Sequence, residues 1–429
     1  MKRKLLSLLL LTPLLLGSFN QVAFASAKSG ATCTKLSQSQ IVGAKKFTCI
    51  KSGKKLVWNK GTAIAKPVST LNLADACKLQ NGPAVRSDVA IGWPRIASRM
   101  RTTGTLNVKV IMVDFSDAVA TRTPAEVFGI INPGSAEIFK EVSYGKMTYS
   151  FDPKLKWYRM SHPSTDYTFK SFDDQRNYIQ EAVKLAENDV DFSKTDSLIV
   201  LANPDATALT FGPAFTPGPL SGVFSKGNYI GNGATSGHDL LFWGPMWLDH
   251  EISHTMGLVD LYAFAVDSSI PDSAFRFTGY FSYMGFSSST SNSPGPFAWE
   301  RWLLGWIDDS QIKCQHSGSG TTVLTPIERV GGTKAVIVPT GRYTAVVIES
   351  RRAEGIDKNM VKEGVLVYTV DTSIATGYGP IKVQNLQPND PHLRQSPLRV
   401  GESLTVGTVK INVSASDSSS DTVEVTVAP

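Results

Sequence analysis

One stretch of sixteen residues limits what this chain can fold into: Trp247 to Tyr262, which reads WLDHEISHTMGLVDLY. It contains His250 and His254, four residues apart. On a helix these positions lie on one face with Cβ atoms about 5–6 Å apart, so both imidazoles can bind one cation. Glu251 is turned about 100° from His250. It is therefore not needed as a ligand and can instead hold a metal-bound water molecule.

The residues after the second histidine offer a third ligand. Gly257 suits a helix end, because glycine tolerates the positive φ of a left-handed cap. The turn that it permits can bring Asp260 back toward the same cation. Three protein ligands with one open position are typical of a catalytic zinc site. With six histidines in the chain, an H-E-x-x-H pattern arises by chance in well under roughly one such sequence in a hundred. Two unrelated histidines are therefore the weaker interpretation.

Composition and charge limit the classes of protein to which this chain can belong. The chain has 429 residues, of which 42% are hydrophobic, so it can bury a large core and form more than one compact unit. Its formal net charge is +6, but Lys and Arg form no arginine-rich helix and no stripe interleaved with aromatic residues. We therefore expect no nucleic-acid partner. One cluster of lysines is interpreted as a solvated face; it consists of Lys45, Lys46, Lys51, Lys54 and Lys55.

The first 27 residues have the pattern of a secretory signal peptide. Lys2, Arg3 and Lys4 precede an apolar run from Leu5 to Leu16, and AFASA at 23–27 provides an A-x-A cleavage site. An uncleaved anchor is the alternative, but the run is shorter than the ~20 residues that a membrane span needs. No later stretch qualifies as a transmembrane helix. We expect an exported, extracellular protein, and association with the cell envelope stays open.

Export gives the four cysteines a structural meaning, because an even number in an oxidising compartment favours disulfides. Cys33 and Cys49 lie in one short segment and are the natural local pair. That pairing leaves Cys77 and Cys314, which would join the two ends of the central region. The sequence allows three pairings, so this one is a preference. A thiolate of Cys77 that inhibits the zinc site is the alternative, but no charged motif surrounds it.

Secondary-structure patterns divide the chain into five parts. The central region is expected to contain strands at 107–115, 147–151 and 197–202, helices at 124–131, 135–143 and 172–188, and a metal-binding helix at about 242–256. Beyond Trp306, β-rich segments with glycine turns predict a sandwich-like part. The fold class is therefore α+β. The expected bounds are 1–27 for the signal peptide, 28–60 for a small Cys-pair module, 61–75 for a linker, 76–316 for a catalytic domain with a mixed sheet and an active-site helix, and 317–429 for a β-rich C-terminal domain.

A loop rich in Gly, Pro and Ser, from Asn203 to Gly237, directly precedes the metal-binding helix. Long loops in compact domains are usually functional, so this one is expected to shape a substrate cleft. His238 at its end is a spare ligand candidate. A solvated loop histidine is favoured, because a fourth protein ligand would fill the open position.

Several motifs in order along the chain resemble the immune inhibitor A family of secreted metallopeptidases, which is metzincin-like. They are VKVIMVDFSD, FKEVSYGKMTYSF with KWYRM, DFSKTDSLIVL, HEISHTMGLVDLY, FSYMGF, WERWLLGWI and YTAVVIESRRAEGIDKNMVKEGVLVYTVD. Together they run from about Val108 to Asp371, which is most of the mature chain. Gly257 and Asp260 also stand at the metzincin offsets from HEISH.

The resemblance implies zinc ligands at His250, His254 and Asp260, with Glu251 as general base and acid. It also implies a Met-turn at Met284, an apolar floor under the metal. Asp260 departs from the many metzincins that have His at this position, but a carboxylate oxygen is a competent zinc ligand.

A second departure concerns the residue two positions after the methionine of this turn. Phe286 stands where some metzincins carry a tyrosine that stabilises the transition state. Three tyrosines lie nearby in sequence and are interpreted as packing residues: Tyr262, Tyr280 and Tyr283. In the last motif, a structural ion-pair role is at least as well supported as a substrate-binding one; the residues concerned are Glu349, Arg351 and Arg352.

The expected activity is that of a secreted zinc endopeptidase, a hydrolase of peptide bonds in proteins or peptides. Zinc would acidify a bound water molecule and polarise the scissile carbonyl, and Glu251 would move the proton from that water to the leaving amine. A structural calcium ion is a second candidate cofactor, with no site assigned to it. The alternative functions are a catalytically inert exported binding protein that keeps the fold, and an envelope-attached adhesion protein.

Overall fold

The computed structural model describes residues 27–42, 45–63, 73–83, 85–269, 272–286, 293–387 and 389–429. All but the last residue of the predicted signal peptide, and most of the predicted linker, lie outside these ranges. The chain forms two compact units, Met1–Leu71 and Asn72–Pro429. The predicted boundary between residues 316 and 317 falls inside the second unit, and the predicted domain limits stay predictions.

The first unit, in its described part, is a small antiparallel β module. Its strands are β1 (Ser39–Val42), β2 (Lys45–Ser52), β3 (Lys55–Trp58) and β4 (Thr62–Ala63). β2 is central and pairs with the other three. Phe47 and Trp58 pack beside the disulfide between Cys33 and Cys49. A module this small buries few apolar side chains, so the disulfide is expected to be a main source of its stability.

The second unit begins with a mixed five-stranded sheet. Its strands, with a neighbouring hairpin, are β5 (Gly104–Asp114), β6 (Met147–Arg159), β7 (Ser197–Ala202), β8 (Ala214–Phe215), β9 (Val223–Ser225), β10 (Asn228–Ile230) and β11 (Gly233–Thr235). The order across the sheet is β6-β5-β7-β11-β8, and β9 and β10 form the separate hairpin. Only β8, at the edge, runs antiparallel to its neighbour. All six residues of β7 are buried, as expected for a parallel strand covered on both faces.

Helices cover both faces of this sheet. The helices of this unit are α1 (Pro124–Ile131), α2 (Gly134–Val142), α3 (Phe172–Ala186), α4 (Leu240–Trp243), α5 (Pro245–Thr255) and α6 (Ala298–Leu303), of which α1, α2, α3 and α5 pack on the sheet. Alternate residues of β7 separate the faces: Leu198 and Val200 pack with α3, whereas Ile199 and Leu201 pack with α1, α2 and α5. The period-2 pattern of the strand therefore places α5 on the face opposite α3.

The prediction of one helix at about 242–256 is wrong in one respect, because the structure contains two helices in its place. α4 ends at Trp243 and α5 begins at Pro245, and between them Gly244 has a φ of 58°. Proline favours the first position of a helix, where its missing N–H is not needed, and glycine accepts the positive φ before it. The Gly-Pro pair thus restarts the helix that carries the HEISH motif.

Two further sheets form the β-rich part after residue 306. Their strands are β12 (Ile312–Cys314), β13 (Gly318–Leu324), β14 (Ala335–Pro339), β15 (Thr344–Arg351), β16 (Gly364–Asp371), β17 (Ile381–Val383), β18 (Ser403–Val406), β19 (Val409–Ser416) and β20 (Asp421–Val427). The orders are β12-β14-β15-β16-β17 and β13-β20-β19-β18. Val346 and Ile348 of β15 pack against the second sheet, while Ala345 and Val347 pack into the core that contains α5. The β-rich part therefore shares a hydrophobic core with the first sheet.

A second disulfide ties the start of this unit to the β-rich part. It joins Cys77, at the end of a short 3₁₀ helix (Leu73–Cys77), to Cys314 in β12. Both preferred pairings are therefore formed, and the Cys77 sulfur is bonded and cannot act as an inhibitory thiolate.

The described residues combine helices with several sheets, and β structure predominates. This confirms the expected mixture of α and β structure. Within the described ranges, no helix is both long enough and apolar enough to cross a membrane.

Candidate metal centre

The end of α5 is fixed by the segment that precedes β5. Gly257 has a φ of 104°, a value that a residue with a Cβ rarely adopts, and the chain turns there. The last carbonyls of a helix lack intrahelical partners. Here Met100 N–H donates to the Thr255 carbonyl, and the Arg95 guanidinium donates to that of Met256. The turn after the helix is thereby held at a fixed angle to α5.

The three predicted ligands meet directly beyond this turn. The Nε2 atoms of His250 and His254 are 3.2 Å apart, and each lies 3.2 Å from Oδ1 of Asp260. Zinc bonds of about 2.0–2.1 Å in tetrahedral geometry require ligand atoms roughly 3.3 Å apart. The triangle formed by these three atoms therefore has the dimensions of three corners of a tetrahedral zinc site, and the donor set fits the ion.

Backbone carbonyls orient both imidazoles. Nδ1 of His250 donates to the carbonyl of Tyr283 (2.7 Å), and Nδ1 of His254 donates to that of Leu258 (2.8 Å). A carbonyl only accepts, so the proton of each neutral ring lies on Nδ1 and the lone pair on Nε2. Such partners are typical of metal-binding histidines, whose tautomer and ring orientation they fix.

Asp260 is held by a residue that no sequence pattern singled out. The Thr376 hydroxyl accepts from the Asp260 N–H (2.8 Å) and donates to its Oδ2 (3.0 Å), leaving Oδ1 toward the histidines. Gly377 N–H donates to the Asp260 carbonyl (3.0 Å). Both residues lie between β16 and β17, so the β-rich part supplies the support of the third ligand.

Charges within the cluster determine its protonation. Burial opposes a charge on His254, but the Asp260 carboxylate outweighs it and raises the pKa of His254 to about 9, so a cation that binds at Nε2 must displace a proton from this ring. Burial also opposes the charge on Asp260, but the two imidazoles prevail and hold its pKa below the usual range. The carboxylate is therefore ionised at neutral pH, which is the state that binds cations.

Glu251 lies in the same cleft but outside the triangle. Its Oε2 accepts a hydrogen bond from Ala214 N–H (2.6 Å), in the edge strand β8. Burial raises the pKa of Glu251, although the two imidazoles oppose this shift. A half-buried carboxylate that is fixed at one oxygen and ready to take up a proton has the properties of a general base.

The cleft has a volume of about 440 Å³. Its walls comprise Arg86, Asp88, Val89, Phe211, Gly212, Pro213, Ala214, Thr216, Asp239, Trp243, Met246, Trp247, Tyr262, Gly285 and Phe286, beside the three ligands and Glu251. Residues 211–216 belong to the loop that was expected to shape it. Trp247 Nε1–H donates to the Gly212 carbonyl (2.9 Å) and so fastens this loop to α5. A Cβ at Gly212 would lie 2.0 Å from the Thr235 carbonyl oxygen, so only glycine fits there.

Met284 lies in a tight turn that contacts both His250 on α5 and the loop that carries Asp260. Its side chain is fully buried in the core that includes Met256 and Leu258. Its carbonyl accepts from Leu261 N–H (2.8 Å), while the preceding carbonyl, that of Tyr283, holds His250. The turn thus connects the loop of the third ligand to the first histidine.

The other candidate residues occupy different surroundings. His238 is exposed, and its Nδ1 contacts the Pro204 carbonyl, away from the triangle. Tyr283 is fully buried, and its hydroxyl accepts from Ser253 Oγ. Tyr262 lines the cleft, and burial together with the neighbouring Asp260 carboxylate raises its pKa. Of the three tyrosines, Tyr262 is the one that lines the cleft.

The charged residues of the last motif serve the core and not the cleft. Arg351 pairs with Glu349 (2.6 Å) and Asp357 (2.9 Å), and all three side chains are fully buried. Arg352 pairs with Asp421 (2.8 Å). These contacts favour the structural interpretation. Apart from the histidine–aspartate triangle, the described residues hold one other group with metal-ligand spacing, Cys77, Cys314 and His316, but its two sulfurs are joined in the disulfide.

Comparisons with known proteins add little to this geometry. No protein-family model matches the chain, and no curated protein matches it. Among solved structures, it is similar to metalloproteinase-II from Bacteroides fragilis, with 15% sequence identity over 62% of this chain and 78% of the other, and a TM-score of 0.27. A match at this TM-score establishes neither a common fold nor a common activity.

Proposed function

We propose that this chain is a secreted, metzincin-like zinc endopeptidase. The observation that carries the proposal is the triangle of His250 Nε2, His254 Nε2 and Asp260 Oδ1, with sides of 3.2 Å. Three donors of this kind leave one coordination position free, as in catalytic zinc sites. Glu251 lies in the same cleft, and a site that used its metal only as a structural staple would not need it.

The roles of the side chains follow from their contacts. Zinc, when bound, would polarise the scissile carbonyl and acidify a water molecule. Glu251 accepts the proton of the attacking water and returns it to the leaving amine, while Ala214 N–H keeps its carboxylate in place. The Tyr283 and Leu258 carbonyls and the Thr376 hydroxyl keep the ligand atoms aimed at one point.

The cleft suits a polypeptide substrate. Its volume of about 440 Å³ is ample for side chains, and aromatic residues line one side of it. β8 is the edge strand of the sheet and borders the cleft through Ala214. An extended peptide can lie along such an edge and so present its backbone to the catalytic groups, although the Ala214 N–H is bonded to Glu251 and is not available to it.

Substitution of Glu251 tests the proposal. Glu251→Gln keeps the shape of the side chain and leaves all three ligands in place, so the variant should still bind about one zinc per chain. It should lose at least about 100-fold in casein hydrolysis, since general-base catalysis contributes roughly 10²–10⁴-fold. Metal analysis and turnover are measured on the same preparation. Glu137→Gln, an exposed substitution in α2, is the matched control and should change neither quantity.

Two outcomes would overturn the assignment. Full activity in the Glu251→Gln variant would remove Glu251 from the mechanism. A folded wild-type protein that binds no zinc and clears no casein in a zymogram, with or without a chelator, would favour an inert binding protein or an adhesion protein. The proposed secretion is tested separately, by N-terminal sequencing of protein recovered from the culture medium.

A further inference from the structure

The two compact units differ sharply in charge. Residues 28–71, the part of the first unit that follows the predicted signal peptide, contain nine Lys and no Arg, Asp or Glu, whereas residues 72–429 contain 31 basic and 37 acidic residues. The modest net charge of the whole chain therefore conceals a strongly cationic first unit and an anionic second one. A block of like charge without any acidic residue costs the folded module self-repulsion, which a bound partner of opposite sign would relieve.

The structure shows where these charges lie. The described part of the first unit carries eight lysines, all exposed: Lys28, Lys35, Lys45, Lys46, Lys51, Lys54, Lys55 and Lys60. Within the described residues, the ion pairs and side-chain hydrogen bonds include none of them. By contrast, many basic residues of the second unit are paired, such as Lys78, Lys109 and Lys146. The cationic surface of the module is therefore free to bind.

The lysines surround the module and are not confined to one face. Lys45 and Lys51 stand on one face of β2 and Lys46 on the other, because strand residues alternate. Lys45 and Lys46 lie at one end of β2, and Lys51, Lys54 and Lys55 lie around the hairpin turn at the opposite end. At about 3.3 Å per residue, the two ends are roughly 20 Å apart. A flat membrane can contact one side of such a body, whereas a flexible chain can follow all of it.

We propose that the first unit binds a flexible polymer whose repeating unit carries a phosphate but no nucleobase. Phosphate groups along a chain match lysines distributed around a small module, since the ammonium group acts as a point charge. Nucleic acid is disfavoured because the aromatic residues of the described module, Phe47 and Trp58, are both buried and cannot stack on bases. The binding is independent of the proposed peptidase activity.

The test uses the full-length chain and labelled long-chain polyphosphate, with anisotropy measured over a range of salt concentrations. The module variant has Gln in place of Lys45, Lys46, Lys51, Lys54 and Lys55. The control variant has Gln in place of five exposed lysines of the second unit: Lys140, Lys170, Lys313, Lys358 and Lys410. Both variants lose the same net charge, so a difference between them locates the binding surface.

The module variant should bind at least about 10-fold more weakly near 0.1 M salt. The slope of log binding constant against log salt concentration should become shallower by about 3.5, which is about 0.7 for each of the five phosphates that the module no longer neutralises. The control variant should bind like the wild type. Arg in place of the same five module lysines should restore binding, which separates the removal of charge from misfolding. Equal losses in the two Gln variants would overturn the proposal. So would tighter binding, at equal phosphate concentration, to anionic lipid vesicles or single-stranded DNA.

Discussion

At the scale of single residues, the least expected feature of the site is the hydroxyl of Thr376. It is 116 positions from Asp260 along the chain, yet it both accepts from the backbone and donates to the carboxylate of that ligand. Only one carboxylate oxygen is bound in this way, so Thr376 selects which oxygen faces the histidines. It acts through Asp260 and is therefore a positioning residue.

We expect Thr376→Val to weaken zinc binding by roughly 10–100-fold, the usual cost of removing a residue that orients a metal ligand. Valine has nearly the same shape, but it neither accepts from Asp260 N–H nor donates to Oδ2. Thr376→Ser retains the hydroxyl and should bind zinc like the wild type. Competition with a chromophoric chelator measures the affinities. Equal affinities in the Val and Ser variants would show that the hydroxyl does not position the ligand.

The meeting of His250, His254 and Asp260 could be predicted from sequence because its geometry is local. His250 and His254 share a helix face by virtue of their spacing, and Gly257 marks the turn to Asp260. The support for Asp260 could not be predicted, since Thr376 lies in a loop of the β-rich part and threonine has no pattern that identifies such a role. Tertiary folding, and not local spacing, brings these two residues together.

At the scale of secondary-structure elements, hydrophobic patterns predict strands well where both faces are covered. The apolar run at 197–202 matches β7 residue for residue, because every side chain of that strand is buried. β6 was predicted to end at Phe151 but continues to Arg159. It contains Pro153, which signals the end of a strand in the interior of a sheet but is tolerated here, because β6 is an edge strand.

α6 contains a buried carboxylate, that of Glu300. Glu300 is fully buried and accepts from the Phe297 N–H (2.8 Å). Burial raises the pKa of Glu300 to about 7, although the Phe297 N–H and the nearby Ser282 hydroxyl of the Met284 turn oppose this shift. The folded chain therefore retains a proton on Glu300 at pH values where the unfolded chain has lost it.

This shift predicts a pH-dependent effect of Glu300→Gln. Below about pH 4.5 Glu300 is protonated in both states and contributes no charge penalty. Between about pH 4.5 and 7 the unfolded chain loses this proton while the folded chain keeps it, so the wild type loses stability over this range and the Gln variant does not. The quantity to compare is the free energy of unfolding of the variant minus that of the wild type. This difference should be roughly 3 kcal/mol larger at pH 8 than at pH 4.5, at about 1.4 kcal/mol per pKa unit.

Urea unfolding at several pH values provides the measurement. Glu137→Gln is the matched control, because it makes the same chemical change at an exposed position of α2. Its difference from wild type should stay constant across this pH range. A constant difference for Glu300→Gln as well would mean that Glu300 is ionised in the folded chain throughout, and that the contacts to Phe297 and Ser282 outweigh burial.

At the scale of the whole molecule, the two disulfides close loops of very different length in different units. Cys77 and Cys314 are 237 residues apart in the second unit, while Cys33 and Cys49 are 16 apart in the first. The long bridge joins the beginning of the second unit to the first strand of its β-rich part. Both pairings were preferred from sequence, because local spacing selected one pair and the other two cysteines remained.

Removing the long bridge should therefore destabilise the unit that contains the metal centre. Chain-entropy reasoning gives about 5 kcal/mol for a loop of this length and about 3 kcal/mol for the short one. Cys77→Ser with Cys314→Ser should lower the urea midpoint of the second unit, and Cys33→Ser with Cys49→Ser should leave that midpoint unchanged. Tryptophan fluorescence distinguishes them, because seven of the eight tryptophans lie after residue 72. If both double variants shift the fluorescence transition equally, the two units do not unfold separately, and the long bridge does not stabilise the metal centre in particular.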